Sequence, residues 1–582
     1  MKKFLATILA LSMAATVFCG CDLFKKDGEE GDGKGDGGAG IIQPEPKPED
    51  KLSAHEKTNL SADGYVRDKI GDFSVYENTS AYRKVTTAEE LFTAIVDAKC
   101  HYKNVWDEDT STYTQVPADG YTEDNFKGTV RVIEIANDLN LGYYTLSEEA
   151  KASGIVSDFA SNANKLSPYL YFSDDFTENG ISQIKVENIS NLLIYSKTGA
   201  KLTHCGFKLT SDNNVAFRNL EFDNMWQWED GTTEASKIGD YDWFGWAYFK
   251  ISFCGYIWID HCTFGKSYDG QIDISNPEYT ANAGVNFRAP YGGDGTSAVH
   301  VSWCNFNAGS DGEDGYLYKM MQGIEEDYQA YKAAPDPNYV SQHAYYDALR
   351  DGGVSFEEIL YGLAVPQKKG FLCGDSGNNK EDYDYNLKLQ VSFANCNFKN
   401  LEDRLPKLRG GNAYMYNCTF DSSQYYTYRS KLKGRAASLV QIVNSSWKCA
   451  LVSQGIVCGN GGSVKAENCI YRGIETLLKN NDSNSADKVN GGYQIVNCSY
   501  QLSATSPVLV GSSSDANAAS KFPNSSTGTL KPDLFSWHTE NGEQPFTPSV
   551  TELDGLEEYL ANSDYGAGAK SEFPLSLLKS KY

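Results

Sequence analysis

The sequence predicts an all-β solenoid, a coil of short parallel strands stacked rung on rung, and three observations carry that reading. A short phrase, (His/Trp/Asn)-Cys-x-(Phe/Tyr), recurs as HCTF at 261, WCNF at 303, NCNF at 395, NCTF at 417, NCIY at 468 and NCSY at 497. With Ser446 of NSSW taken in the cysteine place, the steps from Cys396 are 22, 28, 23 and 29 residues, a period in the twenties that marks a solenoid. The runs beside the phrase (VHVSW, NAYMYN, VKAEN, YQIVN) are short β-formers with no sustained helical periodicity. One such unit cannot bury its inward face alone and must stack on its neighbours, so cysteines, aromatics and asparagines are expected to form ladders. RNLEF at 218 is an earlier relative of the phrase.

Taken in order, the chain opens with MKKFLATILALSMAATVFCGC, in which Lys2 and Lys3 precede an apolar run too short to span a bilayer comfortably. The Gly20-Cys21 junction resembles a bacterial lipoprotein signal, which would make 1–20 a leader and Cys21 the lipidated residue. Residues 21–60, with DGEEGDGKGDGGAG and PEPKPED, read as a flexible acidic tether. The solenoid is assigned to 61–545. Thr87 and Glu90 ahead of LFTAIVDA signal a helix expected to close its N-terminal end, because open strand edges invite aggregation.

Between Cys304 and Cys396 lies an insertion, 310–366. It contains YLYKMMQGIEEDYQAY and a capping box at Ser355 and Glu358 before ILYGL, and is expected to project from the coil as helices. Residues 546–582, with TELDGLEEYLAN, read as a C-terminal helix and tail.

Composition narrows the partners. There are 77 acidic against 52 basic residues, a net charge of −25, which argues against nucleic acid. A local cationic patch can still hold an anion, since salt screens the remaining charge beyond roughly 10 Å. The chain has 14 cysteines, six of them in the repeated phrase. Small apolar cysteines suit a buried ladder, and free thiols are expected there in preference to disulfides. An exported monomer is expected, touching a membrane only through its lipid anchor: at the cell surface or outer membrane, or, alternatively, secreted.

Four motifs then occur in sequence: NNVAFRNLEF (213–222), YIWIDHCTF (256–264), YDGQIDISN (268–276) and RLPKLR (404–409). In this order they resemble the pectate lyase family, polysaccharide lyase family 1, over roughly residues 80–425 with the insertion as an interruption. The resemblance implies a right-handed parallel β-helix and cleavage of α-1,4-polygalacturonate by calcium-assisted β-elimination, leaving 4,5-unsaturated oligogalacturonates. It implies Arg404 as the base that removes the C5 proton and Arg409 as a carboxylate-binding residue. QKKGFLCGDS resembles the family's Lys-x-x-x-x-Gly segment, which selects Lys369, five residues before Gly374, for substrate binding.

Elementary chemistry suits part of this. A guanidinium pairs with carboxylate through two parallel bonds, and Pro406 stiffens the turn between the arginines. As a base, arginine needs neighbouring positive charge or an acidified C5–H, because a guanidinium holds its proton to above about pH 12.

The resemblance also implies Asp269 and Asp273 as Ca²⁺ ligands, consistent with that cation's preference for oxygen donors. The family's third ligand falls thirteen residues before Asp260, and there this chain has Ala247. Asp242 is the foremost substitute, with Asp240, Glu229 and Asp230 as others. Trp226, Trp228, Trp243 and Trp246 either stack on sugars or pack a loop. His261 is read as a structural, hydrogen-bonded residue. Two rivals stay open: a calcium-independent pectin lyase acting on methylated pectin, and a non-catalytic surface glycan-binding β-helix lipoprotein. The sequence contains no zinc-site spacing, G-x-S-x-G or phosphate loop.

Overall fold

A computed structural model describes residues 59–107, 112–141, 183–225, 247–275 except 268, 297–335 except 311, 343–374, 389–422, 432–434, 438–443, 446–458, 463–480, 492–517, 521–522, 529–530, 546–550 and 554–582, together with 53, 57 and 386. All of them lie within one unit, Pro48–Tyr582. The leader, Cys21 and nearly all of the tether fall outside the described residues.

The solenoid is a parallel β-helix. A twelve-stranded sheet begins with Tyr82–Val85 and Val132–Ile135, passes through Asn213–Arg218, Tyr256–Asp260, Ser297–Ser302, Leu389–Ala394 and Gly411–Tyr416, and ends with Thr529–Leu530. Its neighbours pair in parallel, for example Ile259 with Val301 and Val301 with Phe393. A second, eighteen-stranded sheet carries two ladders. One is the phrase ladder, with Thr263–Phe264, Asn305–Asn307, Asn397–Lys399 and Thr419–Ser422. The other holds Gln183–Glu187, Gly206–Thr210, Ala247–Ser252, Gly270–Ser275, Phe371–Cys373 and Lys407–Leu408.

The repeated phrase is the bend between the two sheets. Its first residue takes the left-handed conformation at His261, Trp303, Asn395, Asn417, Asn468 and Asn497, with φ between 47° and 55°. Asparagine tolerates that region well, which explains its recurrence. Asn417 and Asn497 each donate a side-chain hydrogen bond to the asparagine one coil earlier, at 3.0 and 2.7 Å. The cysteine that follows points inward, and its thiol donates to the carbonyl two residues before, at 3.2 Å for Cys304 and 3.3 Å for Cys396 and Cys418. These cysteines are free thiols in the core. The aromatic closes the phrase: Phe222, Phe264, Phe306, Phe398 and Phe420 stack at centroid distances of 4.6–5.2 Å. Each aromatic pair adds about 1 kcal/mol beyond area burial.

Register corrects one assignment. Thr419 pairs with Ser446 and Phe420 with Trp447, so Ser446 stands in the threonine place and not the cysteine place.

The helix Ala88–Ala98 starts at Thr87, whose hydroxyl accepts from the Glu90 N–H at 3.2 Å, while Glu90 reaches back to the Thr86 N–H. It packs against Tyr82–Val85 and Val132–Ile135, the first two strands of the twelve-stranded sheet. The insertion differs from expectation: it is seated, not projecting. Leu317 and Met321 of helix Tyr316–Ala333, Tyr346 of helix Ala344–Asp351, and Ile359 and Leu360 all join the main core of the coil. Burying those side chains holds the helices on the coil.

Both ends of this unit cover the outer face of the twelve-stranded sheet. Leu60, Val66, Phe73, Leu577 and Leu578 pack on Leu193, Ala216 and Trp258. Beneath them Arg218, 1% exposed, donates to Asp260 at 2.9 Å and to the carbonyls of Leu577, Lys579 and Leu60. The C-terminal helix Leu556–Ala561 lies on Trp303 through Leu556 and Leu560.

Candidate active site

Three successive coils bring the sequence-selected residues together on the second sheet. Asp269 pairs with Lys368 and Lys369 with Asp403 as parallel bridges, just before the strands Gly270–Ser275, Phe371–Cys373 and Lys407–Leu408 begin. Asp269 and Arg404 therefore stand at corresponding ends of the first and third of these rungs, with Lys369 on the rung between, and both take left-handed backbone conformations, with φ of 75° and 63°. Such conformations cost of order 1–3 kcal/mol and gather at functional sites.

The side chains converge on one carboxylate. Asp269 Oδ1 lies 2.6 Å from Lys369 Nζ and 3.3 Å from Arg404 Nη1. Burial alone would raise the Asp269 pKa, but the Arg404 and then the Lys369 charge hold it below the usual carboxylate value. Asp273 is the opposite case: burial, then the charge of Asp269, pushes it up to about 6. Its Oδ1 is buried with no hydrogen-bond partner among the described residues.

The neighbouring lysines separate cleanly. Lys368 is 1% exposed and donates to the Gly309 carbonyl at 2.7 Å, away from the site. Lys369 Nζ reaches Asp269 and is steadied by Gln367 Oε1 at 2.6 Å. Gly370 lets the rungs close, since its N–H bonds Asp403 O at 2.8 Å and any Cβ there would run into the Arg404 carbonyl. Arg409 lies further along the same rung, its Nη1 donating to Gly374 O at 3.3 Å.

Ala247 is fully buried and pairs with Gly270, the residue after Asp269. The position does stand beside the carboxylate pair, and it contributes a methyl group. Asp242, Asp240, Glu229, Asp230 and the four tryptophans lie outside the described residues. Among the described residues, no group of three or more His, Cys, Asp or Glu could hold a metal. Sequence reasoning missed Lys250, which pairs in register with Asp273 and whose charge acts on both carboxylates. Strand alternation in AYFKIS was its only signal.

His261 is buried away from this cluster. Its Nδ1 lies 2.9 Å from Asp260, and its ring stacks on Trp303. Asp260, which burial alone would raise, is held low by the His261 and Arg218 charges, and Ser302 donates to it at 2.7 Å.

Fold and site together define a parallel β-helix with a cation-flanked carboxylate pair on its outer surface. No family model matches the chain. It is 29% identical over 347 residues to pectate lyase B of Paenibacillus amylolyticus, covering 60% of this chain and 76% of that one. A shorter stretch of 124 residues is 29% identical to a pectate trisaccharide-lyase of Thermotoga maritima, covering 21% of this chain and 26% of the relative. The solved pectate lyase of Paenibacillus sp. 0602 shares the fold, with a TM-score of 0.59 and 24% identity over 90% of this chain and all of that one. The chain is thus similar to pectate lyases in sequence and shares their fold, in line with the resemblance of its four ordered motifs.

Proposed function

We propose that this protein is a pectate lyase that cleaves α-1,4-linked polygalacturonate by β-elimination, with Arg404 as the base. The observation that carries the reading is the convergence of Arg404 and Lys369 on Asp269, with Asp273 four residues further along the same rung. Lys369 and Arg409 hold uronate carboxylates, Lys369 as a point charge and Arg409 through its planar fork. For catalysis Arg404 gives up its own proton to solvent and then accepts the C5 proton; the freed electron pair forms the C4=C5 double bond, the C4–O bond breaks, and the leaving oxygen takes a proton from solvent. Asp269, held ionised by its two cations, fixes where both side chains point.

Asp269 and Asp273 also fit a hard cation. The unpartnered Asp273 Oδ1 and the mutual repulsion of the two carboxylates would both be relieved by one. Bound there, calcium supplies a Lewis acid that withdraws charge from a uronate carboxylate. Two carboxylates are few for an ion that takes six to eight oxygens, so Asp269 and Asp273 by themselves would hold it weakly.

The test is ultraviolet absorbance of the unsaturated product from polygalacturonate, with calcium and then with a chelator. The reading requires product that chelation abolishes and that Arg404→Ala removes while retaining most polymer binding. Product that survives the chelator transfers the reading to pectin-lyase chemistry on methylated substrate. Binding without product leaves a glycan-binding surface protein.

The export signal belongs to the same proposal: a monomeric lyase held at the cell surface by a lipid on Cys21. Among the described residues no helix is long and apolar enough to cross a membrane. Metabolic labelling with a fatty acid should mark the protein and fail on Cys21→Ser; label retained in that variant would refute the anchor.

A further inference from the structure

The insertion returns to the coil beside the site. Lys368, 1% exposed, closes its neck: the amine donates to the Gly309 carbonyl at 2.7 Å, joining the returning chain to the departing one. Just before Lys368 the chain runs through a π-helical turn, Leu360–Ala364, into a single 3₁₀ turn, Val365–Gln367. Leu360, Ala364 and Val365 are buried in the main core, and Pro366 restricts the backbone of the last turn. Turns of the π type are rare and are frequent at functional sites. Gln367, 3% exposed, is thus a buried polar residue delivered on a stiff support.

Gln367 grips both halves of the ion pair at the centre of the site. Its main-chain carbonyl accepts from the Asp269 N–H at 3.0 Å and from the Lys369 N–H at 2.9 Å. Its side-chain oxygen accepts from Lys369 Nζ at 2.6 Å, the same distance at which Asp269 Oδ1 does. An ammonium on a four-carbon stem is a mobile charge, and a single acceptor fixes its distance but not its direction. Two acceptors fix the direction too, and the third N–H of the ammonium can meet a substrate carboxylate. A carboxamide does this without adding charge. A carboxylate in its place would offset the positive charge that a uronate requires.

We propose that Gln367 is a positioning residue for Lys369, and that the insertion serves the reaction by delivering it. Gln367 touches no reacting atom and acts through the Lys369 amine. The task of Lys369 toward a uronate carboxylate rests on the lyase reading; the hold on its amine rests on geometry.

The experiment compares Gln367→Met and Gln367→Glu with wild type by two readouts. One is kcat/KM on polygalacturonate. The other, without substrate and at fixed pH, is the rate at which limiting acetic anhydride acylates Lys369, resolved from Lys368 by fragment-ion mass spectrometry. Methionine keeps the length and loses the acceptor, so acylation of Lys369 should rise about fivefold, the worth of roughly one hydrogen bond, with Lys368 still unreactive. In the same variant kcat/KM should fall about tenfold, because the amine no longer points where the substrate needs it. Glutamate keeps the acceptor and adds charge, so Lys369 should stay protected while kcat/KM still falls. A glutamine that only supported the fold would not separate the two variants in this way.

Wild-type acylation of Lys369, or wild-type kcat/KM, in Gln367→Met would overturn the proposal. Should that variant fail to fold, Gln367→Glu decides, and either a Lys369 acylated faster than in wild type or an unchanged kcat/KM would overturn it. A wild type that makes no product would sink the lyase reading alone, and the acylation rates would still uphold or overturn the hold of Gln367 on Lys369.

Discussion

Gly370 separates positioning from folding more sharply than any site side chain does. It stands where the Lys369 rung closes on the Arg404 rung, between the two residues whose placement the chemistry needs. A methyl group there would fall inside the 3.0 Å that real Cβ atoms essentially never breach against the Arg404 carbonyl, and 3.1 Å from Leu405 Cδ2. Its φ lies outside the left-handed region, so alanine meets no backbone penalty and the whole cost is that contact. Restoring ordinary contact requires the rungs to part by roughly 0.5–1 Å, and a misplacement of that size costs about 10²-fold in rate.

Gly370→Ala should therefore lose about two orders of magnitude in kcat/KM on polygalacturonate while the coil stays folded, because the clash sits on one rung of a long ladder. The assay is initial-rate absorbance of the unsaturated product, paired with thermal unfolding of the same preparation. Gly323→Ala is the matched control. Position 323 lies on an exposed turn of the insertion helix with nothing near a new Cβ, so it should gain up to about 1 kcal/mol of stability and keep its activity. A Gly370→Ala enzyme with wild-type kcat/KM would refute the claim that rung spacing sets the site geometry.

Other outcomes follow from the same structure. Asp273 is pushed up to about 6, so in calcium-free buffer the folded state prefers it protonated, and stability should fall as pH rises from about 4 through about 6, by at most about 3 kcal/mol. Asp273→Asn should flatten that part of the curve in urea titrations; an identical slope would remove the carboxylate repulsion from the account. Asp269, held low, moves in the other sense and below this window, losing stability only as pH falls under the usual carboxylate value. Arg218→Met strands Asp260 in the core and should cost about 3–5 kcal/mol by urea denaturation, with a cold-labile or detached C-terminal segment detectable by limited proteolysis. Excising 316–364 strips Leu317, Met321, Tyr346 and Leu360 from the coil's core, so it should lower the melting temperature severely; a stable deletion altered only in product length would restore the projecting arrangement.

What could be read in advance depended on sequence distance. The phrase at 261, 303, 395, 417, 468 and 497 is local: bend, inward cysteine and stacking aromatic lie within four residues, so composition and spacing sufficed for the coil. The RLPKLR and DGQID segments are equally compact, and each shows its charges in one glance. The insertion misled because its helical signals say nothing about the surface on which the helices rest, and that surface belongs to coils far away in sequence. Lys369 against Lys368 was a matter of which way one strand turns. The spacing to Gly374 favoured Lys369, but only the bridge from Lys369 to Asp403 brings its amine to Asp269.

A row of lysines on the second sheet was the least legible of all, and the reason is general to solenoids. Lys185, Lys208, Lys250 and Lys407 are separated by loops of different length, and no fixed period links them. Each is an ordinary outward lysine in an ordinary strand; only register across the rungs makes them a line. A parallel β-helix lines up residues scattered over more than two hundred positions, and here the line reads Lys185, Lys208, Lys250, Asp273, Leu372 and Lys407. Ala247 shows the same dependence on register: it pairs with Gly270 and brings a methyl group beside Asp269, while three positions on Lys250 brings a cation to Asp273.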